Sequence, residues 1–296
     1  MIYIIAGQTA SGKTALALDF AKRIGGHIIN GDAFQVYRGL DIGTAKPTKE
    51  EQSSVPHHLY DIIDIDQSFS IFDYQTRARQ LIDELLAKHV PVIITGGSGL
   101  YIRSVLFDYT FSPSRPVDMS KYLAMSSEER HRFLQSIDEE SASKIHANNQ
   151  RRVLRAIEIF LQTGRKKSEI EQDQKKTPLY PYVMVTLDQD KEVLAKRIRT
   201  RVELMFKSGL QAELTALLNH YPPTAPGFRA IGYKELLANP NLSEDMLIQM
   251  IALNTRQYAK RQNTFFKNQF HIHPFKTHDD ALGFLLKKHE ETHNND

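Results

Sequence analysis

The chain has 296 residues, of which 25% are charged and 41% are hydrophobic, a composition typical of a globular protein and unlike that of a disordered chain. It contains no cysteine, which excludes disulfides, thiolate metal sites and cysteine nucleophiles, and this fits a reducing cytoplasm. The net charge is +3, and residues 196–267 carry 11 Lys and Arg against 5 Asp and Glu, which indicates either a solvated helix face or a surface for a polyanion.

The first part of the chain alternates short apolar runs with helical patterns. The runs predict buried strands at 2–6, 27–30, 59–65 and 91–95. Helical spacing of apolar residues predicts helices at 15–24 and 72–88. This alternation indicates an α/β fold in which a parallel sheet has helices on both faces. Ligands of such sheets bind at the carboxyl ends of the strands, which here are Gly7, Asp32 and Gly96.

The pattern changes near Ser112. From 121 to 174 the sequence has only helical periodicity and many charges, and a buried strand pattern returns with YVMVTL at Tyr182–Leu187. We therefore predict an all-helical domain at 112–178, inserted into a discontinuous core domain made of 1–111 and 179–296.

A phosphate-binding loop follows the first strand. The pattern G-x-x-x-x-G-K-[ST] of the P-loop is matched by Gly7, Gln8, Thr9, Ala10, Ser11, Gly12, Lys13 and Thr14. We expect backbone N–H groups and a helix N-terminus to surround phosphates, Lys13 to neutralise charge and Thr14 to coordinate Mg²⁺. ATP is a common ligand of such loops, but the strand PVIIT ends in glycines and not in the acid that NTPases use for magnesium. Asp188, which follows YVMVTL, could supply that acid but lies late in the chain.

Asp32 follows the second strand, so its carboxylate is expected to face the bound phosphate. It suits three roles: a general base, an outer ligand of magnesium, or the N-cap of a helix. Gln35 carries a donor and an acceptor, which is what reading an adenine edge requires.

Two basic segments could contact nucleic acid. Arg152 and Arg155 share a helix face within the predicted insertion, and Arg229 and Lys234 flank a glycine. Their alternative is a solvated surface with salt bridges, for example from this helix to Glu158.

Together these segments resemble the tRNA dimethylallyltransferase family, also called tRNA isopentenyltransferases. The resemblance rests on GQTASGKT, GDAFQVYRGLDIGTAKP, VPHHLYDIIDI, GGSGLY, KIHANNQRRVLRAIEIF, RAIGYKE and TRQYAKRQNTFF, in family order between residues 7 and 266. The P-loop alone is shared with many families, whereas D-x-x-Q-V-Y, GTAKP and AKRQ are far more specific.

The resemblance implies a P-loop NTPase-like fold and a reaction. The family transfers a dimethylallyl group from dimethylallyl diphosphate to N6 of adenine-37 in tRNA and releases diphosphate. It implies that Lys13, Asp32 and Ser98 are catalytic, with Asp32 as the base, and that Mg²⁺ is bound through Thr14. The residues that it places at the tRNA are Asp32, Ala33, Phe34, Gln35, Ser98, Arg151, Arg152, Val153, Leu154, Arg155, Arg229 and Lys234.

Several positions depart from the family pattern. Ala33 stands in place of a serine, Ser98 in place of a threonine, Lys234 in place of an arginine and Phe265 in place of a tryptophan. None removes a group that the reaction needs.

We expect a cytoplasmic monomer with no membrane segment. Three alternatives remain: a prenyltransferase acting on free adenine nucleotide, a small-molecule kinase of the P-loop type, and a non-catalytic RNA-binding NTPase.

Overall fold

A computed structural model describes residues 1–107, 117–173 and 177–293. The chain divides into two compact units, Met1–Leu106 with Leu179–Asp296, and Phe107–Pro178. Residues 108–116 and 174–176 lie outside the described part, and they include both the start of the predicted insertion and residues close to its end. No described helix combines the length and the apolar composition needed to cross a bilayer.

The first unit contains a parallel sheet. Its strands are β1 (Ile2–Ala6), β2 (His27–Asn30), β3 (His57–His58), β4 (Val92–Gly96), β5 (Tyr182–Leu187) and β6 (His273–Phe275). They lie in the order β3-β2-β4-β1-β5-β6, and each paired neighbour is parallel. The register pairs Ala6 with Gly96, so β1 and β4 end side by side.

The helices, in chain order, are α1 (Lys13–Ile24), α2 (Lys49–Ser54), α3 (Ile71–Ala87), α4 (Gly99–Leu106), α5 (Ser120–Ala124), α6 (Ser127–Ile137), α7 (Glu139–Lys144), α8 (Gln150–Thr163), α9 (Lys167–Asp173), α10 (Lys191–Lys207), α11 (Leu210–Leu218), α12 (Tyr233–Ala238), α13 (Glu244–Gln269) and α14 (His278–His293). A 3₁₀ turn occupies Pro226–Arg229.

Strand residues explain why the sheet is covered on both faces. Tyr3, Ile5 and Val185 form one core with Leu16 of α1 and Leu285 of α14. The intervening residues of each strand point to the opposite face, where α3 packs on β4. These findings agree with the α/β fold predicted from the alternation of strands and helices.

The predicted strand at 59–65 is wrong. Leu59 and Asp61 have φ angles of 62° and 54°, and this left-handed backbone cannot continue a strand. The pairing stops at His58, and only an isolated bridge joins Ile63 to Tyr37. The isoleucines here are apolar because they pack: Ile65 is fully buried in the core that surrounds α10 and α13.

The second unit contains α5 to α9 in its described residues. Its core includes Leu134, Ile145, Val153 and Ile157. Asp138 is buried, and its carboxylate accepts hydrogen bonds from Ser141 N at 3.0 Å and Ser168 Oγ at 2.7 Å. Burial raises the pKa of Asp138, but the hydrogen bonds from these two serines outweigh burial and lower it to about 2. This network ties α9 to the start of α7.

Candidate active site

The loop 7–14 joins β1 to α1 and turns sharply to do so. Gly7 and Gly12 have φ angles of 130° and 102°, which glycine adopts without a steric penalty. Gln262 of α13 holds the loop, because its Oε1 accepts from Thr9 N at 2.9 Å and its Nε2 donates to Gly97 O at 3.0 Å. One buried amide therefore links the loops that follow β1 and β4.

Lys13 is the first residue of α1, and its ammonium donates to Gln8 O at 3.2 Å. Burial and the neighbouring charge of Arg201 lower the pKa of Lys13 to about 8, although the negative charge of Asp32 opposes this change. A cation whose charged form is destabilised in this way gains most from an anionic ligand.

Arg201 of α10 is a residue that the sequence analysis missed. Burial lowers the pKa of its guanidinium, and Asp32 opposes the change. Arg201 and Lys13 line one cavity of about 50 Å³ together with Thr14, Asp32 and Gln35. Two cations, a helix N-terminus and a carboxylate therefore meet at the carboxyl ends of the strands.

The loop after β2 fixes Asp32. Its N–H donates to Asn30 Oδ1 at 2.8 Å, and its own Oδ1 accepts from Phe34 N at 3.0 Å. No helix begins here, so the alternative in which Asp32 is a helix N-cap is wrong. The carboxylate closes a local turn with one oxygen and presents acceptor capacity to the cavity.

Ser98 supports this turn from the loop after β4. Its Oγ accepts from Ala33 N at 2.9 Å, and its N–H donates to Gly31 O at 3.0 Å. Tyr258 of α13 hydrogen-bonds to Ser98 and to Gln262, but burial and the charge of Asp32 still raise the pKa of Tyr258 to about 12. Ser98 thus contacts the backbone on both sides of Asp32.

Gln35 differs from its prediction in one respect. Its amide nitrogen donates to Thr44 O at 3.0 Å and to Ala45 O at 3.2 Å. Both amide protons are used, so the side chain offers only its Oε1 acceptor to a ligand. The expectation that Gln35 presents a donor as well as an acceptor is wrong for this arrangement.

Two larger cavities adjoin Asp32 and its turn. One of about 210 Å³ is lined by Asp32, Phe34, Arg201, Arg229, Lys234 and Tyr258. Another of about 330 Å³ is lined by Ala33, Ser98, Tyr101, Tyr258, Arg261 and Phe265. The structure therefore brings the predicted residues of the core unit together around Asp32, although they come from distant segments.

The predicted residues of α8 lie in the second unit. Arg151 and Arg152 are exposed, and Arg155 is exposed but pairs with Glu158 at 2.6 Å. Val153 is 1% exposed and belongs to the core of its unit, so its predicted contact with RNA is wrong for the side chain. Leu154 is half-buried.

The side chains around Thr14 offer few ligands for a magnesium ion. The described residues contain no cluster of three His, Asp or Glu side chains that could hold a metal ion by themselves. Thr14 lies at the start of α1 and lines the cavity of about 50 Å³. Ser11 Oγ is buried without a hydrogen-bond partner. This set fits Mg²⁺, which keeps several waters and takes many of its ligands from substrate phosphates.

Fold and site together combine an α/β core with a cluster of two cations and a carboxylate at the carboxyl ends of its strands, an arrangement that suits a group-transfer enzyme. A sequence model described as IPP transferase matches residues 35–269. The chain belongs to this transferase family.

Named relatives are similar over nearly their full length. The chain is 41% identical to a tRNA dimethylallyltransferase of Staphylococcus carnosus, covering 97% of this chain and 94% of the relative. It is 42% identical to one of Anoxybacillus flavithermus, covering 95% and 92%.

Solved structures give the same result. A tRNA delta(2)-isopentenylpyrophosphate transferase of Staphylococcus epidermidis has a TM-score of 0.72 at 37% identity, covering 98% of this chain and 100% of that one. A eukaryotic dimethylallyltransferase acting on tRNA has a TM-score of 0.79 at 27% identity, covering 92% and 73%.

Proposed function

We propose that the protein transfers a dimethylallyl group from dimethylallyl diphosphate to N6 of adenine-37 in tRNA. The observation that carries the proposal is that Asp32, Lys13 and Arg201 line one small cavity. In this reaction the carboxylate would serve as the base for the amine, and the two cations would stabilise the leaving group. Membership of the IPP transferase family supports the same reaction.

The diphosphate would lie against the loop 7–14. The loop N–H groups, Lys13 and Arg201 would stabilise the charge that develops as the C1–O bond breaks and its electron pair leaves with diphosphate. Mg²⁺, which Thr14 would hold, would supply Lewis-acid stabilisation of the same charge.

The adenine amine would attack C1 from the side of Asp32. The N6 lone pair forms the new C–N bond, and an N6 proton passes to the Asp32 carboxylate. Ser98 would act by holding the turn that carries Asp32, through Ala33 N and Gly31 O. An adenine must leave its stack to place N6 here, which is the usual requirement of base-modifying enzymes.

Binding of the RNA would use cations of both units. Arg229 and Lys234 border the cavity next to Asp32, and Arg151 and Arg152 are exposed on α8. Phosphate contacts from such residues position an RNA without reading its sequence.

The test is incubation with labelled dimethylallyl diphosphate, Mg²⁺ and bulk tRNA, with separate reactions containing labelled donor and AMP, or ATP and no donor. Label in adenine-37 of the RNA is the expected result. Label in AMP alone would favour a free-nucleotide prenyltransferase, and ATP turnover without label transfer would favour a kinase or an NTPase.

A further inference from the structure

The loop 41–47 is held far more firmly than a surface connection requires. Lys46 has a side chain that is 2% exposed, and its ammonium donates to Tyr37 O at 2.9 Å, Asp41 Oδ1 at 2.6 Å and Asp61 Oδ1 at 2.5 Å. All three ammonium protons are used. One end of the loop is thereby fixed to the segment that carries Gln35.

Glu213 and Tyr233 fix the other side of this loop. The Glu213 carboxylate accepts from Asp41 N at 3.2 Å and Ile42 N at 3.0 Å, and Tyr233 Oη donates to it at 2.5 Å. Tyr233 is fully buried, and a Cβ atom added to Gly43 would lie 2.4 Å from its ring. The loop backbone at Gly43 therefore packs closely against the ring of Tyr233.

Ala45, in the loop 41–47, has a strained backbone conformation next to the candidate site. Ala45 has a φ angle of 45°, a conformation that a non-glycine residue keeps only where its surroundings enforce it. Ala45 O and Thr44 O are the two acceptors that engage the Gln35 amide. If the amide rotated by 180°, its oxygen would face two carbonyl oxygens, so the loop excludes that rotamer.

We propose that Lys46 and Tyr233 are positioning residues that make Gln35 an acceptor-only contact and thereby select a 6-aminopurine. This inference rests on the proposed function. Asp32 and Gln35 line the same cavity, so two acceptors meet the ligand there. An exocyclic amine can donate its two N–H groups to these acceptors, whereas the oxygen of a 6-oxo group would repel the side-chain oxygens of Asp32 and Gln35.

The test compares two fluorescent anticodon stem-loop RNAs that carry adenine or hypoxanthine at the target position. Their affinities are measured by anisotropy without a prenyl donor. The native protein is expected to prefer the adenine RNA by about tenfold. In Lys46→Met the loosened loop lets Gln35 rotate and donate to the 6-oxo group. The hypoxanthine RNA should then bind more tightly, and the preference should fall to about threefold or less.

Lys49→Met is the matched control, because Lys49 is 81% exposed and lies 3.8 Å from the same Asp61; it should keep the native preference. Tyr233→Phe keeps the buried ring and removes the hydrogen bond to Glu213. It should also reduce the preference for the adenine RNA, and it provides the test if Lys46→Met does not fold. Equal weakening of both RNAs, or an unchanged preference in the folded variants, would overturn the inference. Label transfer by the native protein is measured in parallel, so failure of the proposed reaction is seen separately.

Discussion

Asp32 and Lys13 line one cavity, and the charge of Asp32 partly offsets the fall in the pKa of Lys13 that burial and Arg201 cause. The protein without ligand therefore keeps a cation in surroundings that disfavour its charge. Such an arrangement lowers stability in exchange for affinity toward an anion.

We expect Lys13→Met to stabilise the unliganded protein and to abolish prenyl transfer. The pKa of Lys13 is about 8 in the fold against an ordinary value of 10.5, so removing the cation should raise the free energy of unfolding at pH 7 by about 3 kcal/mol. Urea denaturation at pH 7 measures the change. Lys22→Met, on the exposed side of the same helix, should leave stability nearly unchanged, and destabilisation by Lys13→Met would contradict the argument.

The same pKa predicts how diphosphate binding depends on pH. As the pH rises through about 8, Lys13 of the free protein loses its proton, so diphosphate binding must take up a proton and affinity should fall. Calorimetric titration with inorganic diphosphate and Mg²⁺ between pH 7 and about pH 9.5 measures this. Lys13→Arg keeps its charge throughout, so its affinity should follow only the ionisation of the ligand.

Arg201 is distant from Lys13 in sequence but should change the pH at which diphosphate affinity falls. Its positive charge lowers the pKa of Lys13, so Arg201→Met should move the midpoint of the fall in diphosphate affinity to a higher pH and reduce affinity at pH 7 by about tenfold or more. Arg199→Met is the control, because Arg199 is exposed and pairs with Glu203 on the same helix. An unchanged midpoint would show that the charge of Arg201 does not affect the pKa of Lys13.

Asp32→Asn should remove the acceptor for the N6 proton and keep the turn, since the amide oxygen can still accept from Phe34 N. We expect single-turnover transfer to fall by about 10²–10⁴ fold, with tRNA affinity within a few fold of the native value. Ser98→Ala is the comparison: it leaves Ala33 N without its acceptor and should cause a smaller loss. Near-normal turnover of Asp32→Asn would exclude the general-base role.

Local patterns predicted the parts of the molecule whose geometry is local. The loop 7–14 and strands β1, β2, β4 and β5 could be located because a short motif and apolar runs define them. The strand at 59–65 could not be judged correctly, since positive φ at Leu59 and Asp61 leaves no trace in apolar spacing. The roles of individual site residues stay predictions until variants are measured.

Residues that act through long-range contacts were the ones missed. Arg201 sits in the basic stretch RIRTR, but spacing alone does not tell which of its arginines meets Lys13 and Asp32, more than 160 residues earlier. Gln262 belongs to the AKRQ segment, and only the fold shows that it joins Thr9 to Gly97. For Gln35 the residue was found, but its orientation depends on carbonyl groups of another loop.

Arg152 and Arg155, two of the three arginines of α8, can be used to test RNA binding separately from the chemistry of the core. Arg152 is exposed, whereas Arg155 pairs with Glu158 at 2.6 Å, so Arg152 is the more available for a phosphate contact. We expect Arg152→Ala to reduce the slope of log affinity against log salt by about one, and Arg155→Ala to reduce it less. Filter binding of tRNA across a salt series measures both slopes. Diphosphate affinity should be unchanged in either variant, because neither arginine lines the cavity that Lys13 shares with Asp32; a loss of diphosphate affinity with an unchanged salt slope would contradict an RNA-binding role for this helix.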